Sequence, residues 1–298
     1  MKRHSRWFKL CLAMTSVLAL TACSSGQAIE QAAQQRMTPE EYVTAAIEVL
    51  QTAESFTGNI QIVSQMDESK ADVNATISMV RQPLRTFIEE NTSFDGQSSG
   101  SQIYLDAQND GTNAMMYMKY GNQWTELSLT QDAALDNVQI YDIRENMLLL
   151  LQNSNNWTMT TEKNHQVTLH GTLPADNIYP AVEGGKLLQF TGMSGIGETY
   201  FTNLSDLEVV FTCEENTGTP LSLSVDLTQV QQQVTNQILA ELQSEPMQPD
   251  FAQYDVSMSI QNINQTQPAK IPAEAYAAIN YEQEISHMNE MQASQPSA

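Results

Sequence analysis

The spacing of apolar residues along the chain changes period several times. Thr38-Pro39-Glu40-Glu41 offers an N-cap, a proline at the first helical position and a capping-box glutamate. Tyr42, Ala45, Ala46, Val49 and Leu50 follow at helical spacing, which predicts an amphipathic helix to about Ala53. The period then drops to two. Ile60, Ile62 and Met66 alternate with polar residues, as do Val73, Ala75, Ile77 and Met79. Arg81-Gln82-Pro83 interrupts the pattern and Leu84 to Phe94 resumes it. Ile103 to Leu105, Met115 to Tyr120 and Trp124 to Leu129 continue it, with turn signals at Asp110-Gly111 and Gly121-Asn122. Short alternating runs with tight connections predict an antiparallel meander with one covered face.

The cover is predicted to be helical. Thr130 to Gln152 carries Ala134, Leu135, Val138, Ile140, Tyr141, Ile143, Met147, Leu148 and Leu151, a broad apolar face at helical period. A second cycle begins with strand residues Val167 and Leu169, a helical stretch from Ala175 to Phe190, and a glycine-rich loop, Gly192 to Gly197. Strands are predicted near Glu198–Leu204, Leu207–Cys213 and Leu221–Thr228. Val230, Val234, Ile238 and Leu242 are spaced by four, so Gln229 to Gln243 reads as helix. Tyr254, Val256, Met258 and Ile260 form a last strand, followed by Ile271-Pro272-Ala273-Glu274 and one more short helix after Tyr281. The class predicted is α+β: a strongly curved antiparallel sheet, a half-barrel, with helices packed on its concave face.

The first residues differ from this body. Lys2, Arg3, Arg6 and Lys9 precede an apolar run from Leu10 to Ala22, which has the layout of a secretory signal and is too short for a spanning helix of about 20 residues. Leu20-Thr21-Ala22-Cys23 matches the bacterial lipobox. Small side chains before the cysteine admit signal peptidase, and the Cys23 thiol accepts a diacylglyceryl group. The expected organisation is a signal peptide over 1–22, a flexible tether over 23–37, one domain over 38–280 and a tail over 281–298. The expected location is the extracytoplasmic face of the cell membrane, held to the bilayer through acylated Cys23.

Charge narrows the partners. Residues 1–22 hold four of the 13 Lys and Arg and none of the 35 Asp and Glu, so their removal takes the net charge from −22 to −26. A body that acidic repels phosphate backbones, which excludes nucleic acid as a partner. Of the three cysteines, Cys11 leaves with the signal, and Cys213 then has only Cys23 for company. Cys213 reads as a small core residue in a strand.

Chemistry is sparse. His165 and His170 are five apart and face opposite sides of a strand, and no zinc motif is present. Asp106 to Gly111 looks like a calcium loop, but Tyr117 stands where the twelfth-position glutamate belongs, so the segment reads as a hairpin connection. Glu89/Glu90 and Glu214/Glu215 are consecutive, hence on opposite faces, and read as solvated. No phosphate loop, nucleophile elbow or Ser-x-x-Lys occurs. The expectation is a non-catalytic protein without metal or cofactor. Methionine is the unusual residue, at 15 in all. Flexible thioethers either fill the core or line a site for ligands of varied shape. The candidate lining is Ile60, Ile62 and Met66, then Val73, Ile77 and Met79, then Met116, Met118 and Met258.

These features together resemble a known group. The lipobox, the capped helix, Arg81-Gln82-Pro83-Leu84 opening a strand, Tyr117-Met118-Lys119 leading over a turn to Trp124, and Ile271-Pro272-Ala273-Glu274 carry the likeness. The chain resembles an uncharacterised family of lipoproteins from Gram-positive bacteria, related in fold to the LolA/LolB and mycobacterial LppX/LprG lipid carriers. The resemblance spans about residues 38–280 and departs in body charge and in the Gln-rich stretch 229–243. It implies a curved sheet around helices or an apolar cavity, and binding of a lipid or other hydrophobic molecule. No cargo-binding residue is carried over from it. The rival expectation is a non-catalytic envelope protein that docks another protein through its sheet or acidic face.

Overall fold

A computed structural model describes residues 37–107, 113–242 and 249–281. Leu20, Thr21, Ala22 and Cys23 lie outside the described residues, as do the Asp110-Gly111 turn, Gln243, the tail after Tyr281, and His287. The chain divides into two units, residues 1–36 and residues 37–298, and the fold is that of the second.

Helix α1 spans Pro39–Thr52. Thr38 Oγ1 accepts from the Glu41 amide at 3.2 Å and Glu41 Oε2 accepts from the Thr38 amide at 2.7 Å, the reciprocal cap its sequence predicts. Six strands follow: β1 Ser55–Met66, β2 Ser69–Arg81, β3 Leu84–Phe94, β4 Gln97–Ala107, β5 Asn113–Tyr120 and β6 Gln123–Thr130. Helices α2 Gln131–Val138 and α3 Ile143–Asn153 lead to β7 Asn155–Lys163 and β8 Gln166–Leu173. Then come α4 Ala175–Gly184, β9 Leu207–Glu214, β10 Pro220–Asp226, α5 Thr228–Glu241, β11 Phe251–Gln261 and β12 Ile279–Asn280.

The twelve strands among the described residues form one curved, unclosed sheet in the order β12-β6-β5-β4-β3-β2-β1-β11-β10-β9-β8-β7. Every pairing is antiparallel except β12 with β6. One meander runs outward from β1, and a second returns through β7 to β11. The two join where Ile60 meets Met258 and Ile62 meets Val256. Even-numbered residues of β1 point to the concave face, where Phe56, Ile60 and Ile62 are buried with Ala75, Ile77 and Met79 of β2. The convex face of the same strands is polar. Asn59 Nδ2 donates to Asn74 Oδ1 at 2.9 Å, and Gln61 reaches Asp72 at 3.3 Å.

Helices α1, α3 and α4 fill the middle of the concave face. Ile143 of α3 presses on Gly58, where a Cβ would sit 2.7 Å from Ile143 Cδ1 and 2.4 Å from the Ser259 carbonyl oxygen. Buried Arg144 ties α3 to α1 by donating to the Leu50 carbonyl at 3.1 Å.

Several expectations need correction. The helix predicted over Ala175 to Phe190 ends at Gly184. The continuous helix over 130–152 is broken: a tight turn at Gln139–Tyr141 follows α2, and Asp142 restarts the chain as the N-cap of α3, accepting from the Glu145 amide at 3.0 Å. The periodicity hides the break because Val138, Ile140, Tyr141 and Ile143 are buried on both sides of it. Glu198–Leu204 forms no strand. It holds a 3₁₀ turn at Glu198–Tyr200, and Asn203 takes a left-handed φ of 58°. Glu90 is not simply solvated, since the Tyr141 hydroxyl donates to it, and burial beside that carboxylate drives the phenol pKa upward. Strand β7 had no predicted bounds. Its Trp157 lies on Gly171 of β8, where a Cβ would be 2.6 Å from the indole.

After β11 the chain crosses the convex face. The Asn264 amide donates to the Ser55 carbonyl at 2.8 Å, and Ala275 is buried against Tyr104 and Tyr117. Phe87 and Trp124 extend this outer cluster, with ring centroids 4.6 and 5.9 Å from Tyr104. Ile279 then pairs with Thr125, which covers part of the β6 edge.

Gly58→Ala should destabilise the protein by about 1–3 kcal/mol, because both neighbours of the new methyl are held by the central sheet and α3. Gly197→Ala, with only Thr199 Oγ1 at 3.8 Å, should stay within about 0.5 kcal/mol of the parent. Urea denaturation of the two variants measures the difference, and equal midpoints would contradict the close packing at Gly58.

Candidate functional site

One end of the concave face is left open. Several inward-pointing side chains of β1, β2 and β3 are small there, Ser64 beyond Ile62, Ser69 and Ala71 before Val73, and Thr92 on β3, with the larger Met66 and Phe94 at the mouth. Small residues on an inward-facing parity leave space that Ile or Met would fill. The result is a cleft of about 530 Å³, within the range of roughly 300–1,000 Å³ usual for small-molecule sites. Phe251 and Tyr254 of β11 complete the sheet wall.

The facing wall comes from the segment after α4 and from α5. Phe190, Thr191 and Met193 supply one part, and Gln231 and Thr235 the other. Local hydrogen bonds hold this wall. The Tyr254 hydroxyl donates to the Leu187 carbonyl at 2.8 Å, and burial raises that phenol's pKa, so it stays a donor. Gly192 at φ 77° lets the chain turn sharply before Met193, and Phe190 packs edge-on to Tyr141 with centroids 6.0 Å apart. The Gln232 amide brackets the end of β11, donating to the Pro249 carbonyl and accepting from the Phe251 amide, both at 2.9 Å.

The mouth is framed by the β1–β2 and β3–β4 turns. Met66 and Phe94 are 41% and 57% exposed there. The turns interlock: the Lys70 amide donates to Asp95 Oδ1 at 2.8 Å, and the Asp250 amide donates to Asp67 Oδ1 at 3.1 Å. Asp67, Glu68, Asp95 and Asp250 are exposed around the opening, with Lys70 as their cationic neighbour.

Of the candidate lining residues, Ile62, Met66 and Val73 lie on this cleft. Ile60, Ile77, Met116 and Met258 are buried in the packed core, and Met118 is half-buried against it. Met79 is buried in the core and also borders a separate, more polar hollow with Arg81, Gln139 and Asp142. The sequence reading passed over Ser64, Ala71, Gln231 and Thr235. Their signal is available in principle, as small residues on the inward parity of a strand and a polar residue on the apolar stripe of α5.

Among the described residues, the cleft lining contains no His, Cys, Asp, Glu, Lys or Arg. The histidines among the described residues lie elsewhere and apart, His165 3.3 Å from Glu215 and His170 2.7 Å from Glu208. Among the described residues, no group of three or more His, Cys, Asp or Glu is placed to hold a metal ion, and no helix is long and apolar enough to cross a membrane. Cys213 is fully buried on β9, and burial, with a smaller contribution from Glu214, pushes its thiol up to about 12. The thiolate is the reactive form. Iodoacetamide at pH 8 should therefore leave the Cys213 peptide unlabelled in the native protein and label it after unfolding in guanidinium, as read by peptide mass spectrometry. Rapid native labelling would contradict the burial.

No protein-family model matches the chain, and no curated protein matches its sequence. Two solved structures are similar to it. The Mycobacterium tuberculosis lipoprotein LppX shares 9% identity at a TM-score of 0.40, over 78% of this chain and 96% of LppX. LprF from Mycobacterium bovis shares 13% identity at a TM-score of 0.43, over 80% of this chain and 98% of LprF.

Proposed function

We propose that this protein is an extracytoplasmic lipoprotein, anchored through acylated Cys23, whose cleft binds a lipid or similar hydrophobic molecule without transforming it. The observation that carries the reading is the cleft itself. It is a concave, mainly apolar site kept open by small residues beside the filled centre of the concave face. Such sites are the usual form for apolar ligands. The lipobox Leu20-Thr21-Ala22-Cys23 supports the anchor. Each buried acyl methylene contributes roughly 0.8 kcal/mol, so two or three chains would hold the protein on the bilayer nearly permanently. The acidic rim disfavours anionic headgroups at close range, an effect that salt screens within about 8–10 Å.

Two measurements test this reading. Cys23→Ala should move the protein from the membrane fraction to the soluble fraction and remove the mass of the diacylglyceryl group. An unchanged distribution and mass would refute the anchor. Purification in mild detergent followed by lipid mass spectrometry should find a bound lipid, and Ala71→Trp, which fills the cleft from β2, should remove most of it while the fold stays cooperative. Equal lipid content in the two proteins would place binding outside the cleft.

A further inference from the structure

The cleft has one apolar wall and one wall with hydrogen-bonding groups left under-used. Gln231 is fully buried, yet its side chain lines the cleft. Among the described residues its Nε2 has as partner only the Met193 sulfur at 4.0 Å, and the Thr235 hydroxyl converges on the same sulfur at 4.0 Å. A thioether is a weak acceptor and cannot satisfy two donors well. Gln231 Oε1 lies 3.2 Å from Thr191 Oγ1, but that hydroxyl has one hydrogen and a shorter contact, 2.8 Å, to the Leu188 carbonyl. A buried amide donor without a good acceptor is costly, and it is stabilised when a ligand oxygen arrives. Size limits the ligand as well. At roughly 30 Å³ per methylene, similar to a water's share of liquid volume, about 530 Å³ matches one chain of roughly 17 carbons with its head group left at the mouth.

Resting on the ligand-binding reading above, we infer that the cleft takes a single-chain acyl ester with an uncharged head, and that Gln231, assisted by Thr235, donates a hydrogen bond to its carbonyl oxygen. Gln231 is then a specificity-determining residue. An ether of the same length lacks the carbonyl oxygen and offers the amide only a weaker ether oxygen. A second acyl chain would have to lie outside the cleft, at the mouth.

The test uses the full chain carrying Cys23→Ala, so that no anchor competes for the probe. Equilibrium binding is measured for radiolabelled 1-monopalmitoylglycerol, 1-O-hexadecylglycerol and dipalmitoylglycerol. The ester should bind about tenfold more tightly than the ether, the value of satisfying one buried donor. The two-chain lipid should bind more weakly than the single-chain ester. Gln231→Leu should bring ester and ether to within about twofold while ether affinity is kept, which a merely structural role for Gln231 would not do. Thr235→Val, which leaves the fully buried position intact, should narrow the preference by about threefold and serves if Gln231→Leu does not fold. Equal ester and ether binding in the parent, a preference that survives both variants, or tighter binding of the two-chain lipid would each overturn the inference alone. Absence of binding by all three lipids would overturn the ligand-binding reading and this inference with it.

Discussion

The architecture depends on one pairing, that of β1 with β11. Each meander is a local structure, its strands joined by short turns, and neither has any built-in reason to belong to the other's sheet. Ten residue pairs from Thr57↔Gln261 to Met66↔Phe251 make the two into a single surface. That join sits beneath the helices: Gly58 is bare because Ile143 lands on it, and Met258 and Ile60 meet under the same cover. The pairing loses register between Gln65 and Met66, at the mouth of the cleft. A bulge there bends the strand and re-aims a side chain. The place where the join falters is thus also where the concave face stops being filled.

The division of the concave face into a filled centre and an open end follows from side-chain size on a fixed parity. In the centre, inward positions carry Phe56, Ile60, Ile77 and Met79, and α1, α3 and α4 meet them. Toward the β1–β2 turn the same parity carries Ser64, Ser69 and Ala71. A helix laid there would leave voids, since close packing needs partners of complementary volume. A polar amide on α5 faces the gap instead. The contrast between the two regions comes from composition on one face of three strands.

Much of this was readable before any coordinates. The cap at Thr38-Glu41, the alternation along β1, β2 and β11, and the spacing of Val230 and Val234 on α5 each point to one element type, and each element formed. The failures share a cause. Apolar periodicity reports which face is buried and says little about whether the backbone is continuous, so the restart at Asp142 was invisible among buried neighbours. The bounds of β7 were not legible because Asn155 to Lys163 has one large buried anchor, Trp157, the half-buried Met159 and otherwise polar residues, with register shifts that break strict alternation. The cleft was half legible. Ile62, Met66 and Val73 stand out in the sequence because they are large and apolar. Ser64 and Ala71 do not, because an absence of bulk carries meaning only once the neighbouring strands are in register, and that register is a long-range property.

The position of β11 in the chain sets the order in which the sheet can be completed. A ribosome supplies β1 early and its second neighbour only after Phe251 has appeared, with most of the protein already made. Until then one flank of β1 offers unpaired amides and carbonyls to any extended peptide nearby. Truncation before residue 251 would leave a permanently open flank on β1 rather than a smaller version of the same fold.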